Sequence, residues 1–110
     1  MITVKFNGVE YEIEYGHNAV CAIEDALGVE NIMTVLKGAF NGKSSFRVMR
    51  AVIWAGMLGK RRSITLEDVG DIMDSDKNSF EVAQDAFAEL YKSVMATLSV
   101  AKTDKTDTKN

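Results

Sequence analysis

Two short stretches carry side chains whose types and spacing suggest chemistry. "GMLGKRRS", Gly56 to Ser63, has a Gly-Lys pair after an apolar run. A phosphate-binding loop needs G-x-x-x-x-G-K-[ST], so that glycine backbone approaches phosphate and a hydroxyl holds Mg²⁺. Aligned on Gly59-Lys60, the first glycine of that pattern falls on Trp54 and the hydroxyl position on Arg61, which excludes the motif. Lys60, Arg61 and Arg62 read instead as cations at a helix C-terminus, where unpaired carbonyls carry partial negative charge. "DSDKNSFEVAQD", Asp74 to Asp85, comes closer to a site. An EF-hand loop places oxygens at alternate positions and a carboxylate at the twelfth. Asp74, Asp76, Asn78 and Asp85 match those positions, but Ser79 stands where the sharp turn needs glycine. An Asp-rich turn ending in an N-cap at Asn78 is the competing reading.

Other catalytic constellations are thin. His17 is the single histidine and Cys21, the single cysteine, follows four residues later. A Cys–His nucleophile would need an orienting third group, and none is evident. A packed thiol beside a solvated turn histidine is the expectation. One cysteine excludes an internal disulfide and a four-cysteine zinc site. Glu24 and Asp25 are adjacent, so they diverge around a helix and cannot act as a paired acid and base. The sequence therefore points away from an enzyme and implies no cofactor.

Composition agrees with a binding or structural role. The chain has 110 residues, 46% hydrophobic and 26% charged, with net charge -3. That is one domain with room for a single core, and its acidic balance gives no general attraction to nucleic acid. No apolar run reaches the roughly 18 residues of a membrane span. The expectation is a cytosolic-type domain over residues 1–100, with "AKTDKTDTKN", residues 101–110, as a disordered tail.

The elements that would position any site are legible from periodicity. Ile2, Val4 and Phe6 alternate with polar residues, as do Val9, Tyr11, Ile13 and Tyr15, and Asn7-Gly8 between them is the preferred two-residue hairpin turn. Five helices follow. Asn18 is the expected N-cap of the first, with Gly28 as its stop, and Asn31 caps the second. Ser44 or Ser45 opens the third, from about Phe46 to Leu58, apolar nearly all round and therefore central. Thr65 and Asp68 approximate a capping box for the fourth, and Asn78 with Glu81 opens the fifth and longest. The fold class is α+β, mostly α: an N-terminal β-hairpin packed on a bundle of about five helices.

The order "FNGVEYEIEY", "NAVCAIEDALG", "RVMRAVIWAGM", "SITLEDVGDIMD" resembles the tail assembly chaperones of long-tailed, siphovirus-like phages and gene transfer agents, over about residues 2 to 98. The resemblance implies a non-catalytic protein of virion assembly. It would bind the tape measure protein and recruit tail tube subunits in the host cytoplasm, and it would be absent from the mature virion. Self-association is left open. Such a task needs a groove for amphipathic helices. Trp54, Met57 and Arg61 are the candidate partner contact, since Trp and Arg are favoured anchors at interfaces. The second reading is a small calcium-binding helical module using the loop 74–85.

Overall fold

The computed structural model describes the backbone of residues 1–109 and the side chains of residues 1–99. The disordered tail expected over 101–110 falls outside that fully described part. The chain runs β1 (Ile2–Phe6), β2 (Val9–Ile13), α1 (His17–Leu27), α2 (Ile32–Phe40), α3 (Phe46–Met57), α4 (Leu66–Asp74) and α5 (Ser79–Lys109). This is the α+β, mostly helical architecture that the periodicities predict.

The hairpin pairs antiparallel with Phe6 opposite Val9 and Ile2 opposite Ile13. Only Asn7 and Gly8 lie between them, both at positive φ (51° and 81°), the geometry of a type I′ turn. Its inward face carries Val4, Phe6 and Ile13, all buried. A two-stranded sheet cannot stand alone in water, so the helices must cover that face.

α3 is the central element. Seven of its residues are buried, from Met49 through Met57, and it packs against α1, α4, α5 and β2. Each fully buried aliphatic side chain there contributes about 1.5–3 kcal/mol relative to exposure. The closest approach is at Gly56. A Cβ on that residue would collide with the Ile13 Cγ2 and press on the Tyr15 ring. The Glu14 amide donates to the Gly56 carbonyl at 3.0 Å in the same place, joining the end of the hairpin to the helix backbone.

Helix ends follow local chemistry in most cases. Asn31 accepts from the Met33 amide, Ser45 from the Val48 amide, and Thr65 with Asp68 forms a complete capping box. Gly28 closes α1 at φ 65°. Two expectations are corrected. α1 begins at His17 with Gly16 at the cap position, and Asn18 lies inside the first turn rather than before it. The extended backbone of Gly16 leaves the helix there, and its carbonyl takes the first helical bond, from the Val20 amide. At α5 the Asn78 carbonyl accepts from the Val82 amide, but the Asn78 side chain turns outward to the hairpin and donates to the Lys5 carbonyl at 2.7 Å.

Candidate functional site

The Asp-rich turn between α4 and α5 is structural. Asp76 Oδ2 accepts from the Asn7 amide at 2.8 Å and its Oδ1 accepts from the Asn78 amide at 3.2 Å. Asn78 adds its bond to Lys5. Together these groups clamp the hairpin turn to the start of α5. The calcium-loop reading of Asp74, Asp76, Asn78 and Asp85 is therefore corrected. α5 already starts at Ser79, so Asp85 is carried onto the second turn of a helix instead of closing a loop. Among the described residues no group of three or more His, Cys, Asp or Glu side chains gathers where it could hold a metal ion.

The basic end of α3 folds back on the hairpin. The Lys60 ammonium stands 3.7 Å from the Glu12 carboxylate, both exposed, and the Arg61 guanidinium lies 4.9 Å over the Tyr11 ring. Exposed pairs of this kind contribute little, about 0–1 kcal/mol. Their effect is to hold cations along β2, whereas the helix-end carbonyls are met by backbone: the Lys60 and Arg61 amides both donate to the Met57 carbonyl.

The three residues chosen as a partner contact occupy three different settings. Met57 is 1% exposed and belongs to the core. Trp54 is half-buried, and its indole N–H donates to the Ile64 carbonyl at 2.9 Å, which secures the loop before α4. Arg61 is exposed. They do not form one open surface, because the same helix that brings them near each other turns Met57 inward.

His17 and Cys21 sit on the exposed side of α1. The thiol is solvated rather than packed as the spacing suggested, and no hydrogen bond joins the two side chains. They edge a cavity of about 160 Å³ between α1, α2 and α5, whose lining includes Tyr15, Val20, Ile32, Val94 and Leu98. Beneath it, the Tyr15 hydroxyl donates to the Val52 carbonyl at 2.6 Å in a buried setting. Burial, with a smaller contribution from the Glu89 carboxylate, holds its pKa well above the ordinary tyrosine value. A phenol so held stays neutral and acts as a packing and hydrogen-bonding group.

What sequence reasoning missed is the exposure of several large aromatics. Phe40, Phe46 and Phe80 are 60%, 84% and 62% exposed. Phe40 at the end of α2 packs edge-on against Tyr91 of α5, with ring centroids 5.1 Å apart and planes at 84°. Phe80, Tyr91 and Leu98 recur on one face of α5, and all three are exposed. Periodicity alone places Phe80 and Leu98 in one stripe with Phe87, Leu90 and Val94, which are buried. The signal that could have separated them is the stripe's width, which exceeds what one neighbouring helix can cover.

The family described as phage tail tube protein, GTA-gp10, matches residues 1–100 of the chain. No significant match to a curated protein or to a solved structure accompanies it. The family match covers nearly the whole chain and places the protein among phage and gene transfer agent tail proteins. It also corrects two expectations. The resemblance assigned an assembly chaperone, whereas the matching family is that of a tube protein. With the chaperone goes the expected absence from the mature virion, since a tube is part of the finished tail.

Proposed function

We propose that this chain, which belongs to the phage tail tube protein family GTA-gp10, is a non-catalytic structural subunit of the tail, incorporated with further copies of tube protein into the finished particle. The observation that carries the reading is the family match over residues 1–100. The exposed aromatics support it. Exposed aromatics in contact with one another offer apolar surface that a neighbour can cover, and Phe40 with Tyr91 makes such a pair here. Its partners are accordingly tail tube subunits, its own copies included. The match lends nothing to contact with a tape measure protein. Arg61 and the exposed edge of Trp54 are candidate contacts at the margin, with Met57 supporting them from inside the core.

Immunogold labelling of purified particles tests the reading. Label distributed along the tail is the expected result. Label confined to host-cell extract, with unlabelled particles, overturns it.

A further inference from the structure

Charge is segregated along this chain. From Asn31 to Thr65 every charged side chain is a cation, and from Leu66 to Leu90 all but Lys77 are carboxylates. The two blocks hardly use each other. Among the described residues the ion pairs are the N-terminal ammonium with Glu89 and Lys60 with Glu12, and neither joins the blocks through a cation of α2 or α3.

The fold collects these charges at two corners, each bearing an exposed phenylalanine. The corner between α2 and α3 carries Phe40, Lys43 and Arg47, all exposed, and Phe40 anchors it beside Tyr91. The corner between α4 and α5 carries Phe80, Glu81 and Asp85, also exposed, and is fixed beside the hairpin turn through Asp76 and Asn78. Phe80 and Tyr91 are three turns apart on one face of α5, about 16 Å along its axis.

Each corner carries one charge that local electrostatics disfavours. Arg47 is in the first turn of α3, where the helix dipole disfavours a cation. Glu81 and Asp85 are one turn apart on α5, a like-charge spacing that costs a helix a few tenths of a kcal/mol. Glu67 and Asp68 lie in the first turn of α4 and Glu81 in the first turn of α5, where the dipole favours them, so Asp85 is the charge of the acidic corner that local structure leaves uncompensated. Departures from a local rule without compensation inside the chain are expected where a partner supplies it.

We propose that the two corners dock on one another between successive copies of the chain, the basic corner of one copy against the acidic corner of the next. The contact is head-to-tail, so it leaves an unused corner at each end and propagates into a ring or a helical array. A second copy is the occupant because one chain carries both complementary surfaces, and its choice rests on the tube-subunit reading. The phenylalanines supply apolar contact and the charges fix orientation.

The test is sedimentation velocity across a range of protein concentrations, at low salt and at 0.5 M NaCl, on the full chain. Wild type should associate, more weakly in high salt. Reversing the basic corner (Lys43→Glu with Arg47→Glu) or the acidic corner (Glu81→Lys with Asp85→Lys) should raise the half-association concentration by roughly tenfold or more. An equimolar mixture of the two variants should recover association, because each then finds complementary charge on the other. Thermal melts report that each variant is folded. Association unaffected by either reversal, or no recovery in the mixture, overturns the docking while leaving the tube reading to the particle labelling above. A wild type that stays monomeric alone and uses these corners on a different tail protein overturns it too.

Discussion

The side-chain amide of Asn78 donates to the Lys5 carbonyl across 73 positions of sequence, two residues from where Asp76 takes the Asn7 amide. The start of the longest helix and the tightest turn of the sheet are thus one structural unit. Asn78→Ala should cost about 0.5–1.5 kcal/mol, the usual net worth of a hydrogen bond. Asn78→Asp distinguishes the tie from an ordinary helix cap. It keeps a capping acceptor but faces a carboxylate to a carbonyl, so urea denaturation should show it no more stable than the alanine variant. Full rescue by Asp would make the residue a cap.

The same bonding explains the expected response to calcium. Asp76 is committed to two backbone amides, and Asp85 is displaced along α5. Titration to millimolar Ca²⁺ should leave the melting temperature unchanged, because a ligand that does not bind the native state adds no stability. A rise that disappears in Asp76→Ala would contradict this.

Tyr15 gives the fold an alkaline limit. Its pKa is raised in the folded chain by burial and then by Glu89, while the unfolded chain ionises near the ordinary tyrosine value of about 10. The stabilisation is therefore full below that pH. It declines as pH rises above it, because the unfolded state then binds fewer protons than the native. Tyr15→Phe should flatten that decline in stability between about pH 10 and 11, relative to wild type. At neutral pH it should cost about 0.5–1.5 kcal/mol for the bond to the Val52 carbonyl. An unchanged alkaline slope would assign the limit to another group.

Gly56 is where α3 meets the hairpin too closely for a side chain. Gly56→Ala should destabilise by about 1–3 kcal/mol through overpacking against Ile13 and Tyr15, despite alanine's better helix propensity. Gly59→Ala, where nothing lies within 4 Å of an added Cβ, is the control and should be near neutral. Equal effects at the two positions would remove the close approach as the cause.

How much of this was legible in the sequence depends on the range of each interaction. Asn7-Gly8, Gly28, Asn31, Ser45 and the Thr65–Asp68 box were readable because each is settled within four residues. Gly16 displaced Asn18 at the start of α1, since a glycine in extended conformation cost nothing locally and gave no cap signal. Long-range relations were hidden. Nothing adjacent to Asn78 announces Lys5, nothing near Phe40 announces Tyr91, and a Trp-Met-Arg grouping does not reveal that Met57 turns inward. The tail system was legible in the order of motifs, but the role within it was not, because a fold pattern constrains architecture more than function.

The central claim is that the chain is built into the tail. Quantitative mass spectrometry of purified, intact particles, calibrated with isotope-labelled peptides spanning residues 31–62, measures its copies per tail. The account predicts many copies per tail, increasing in proportion to tail length between particles of different size. Particles that lack the protein, while the host cells producing them contain it, would contradict the account.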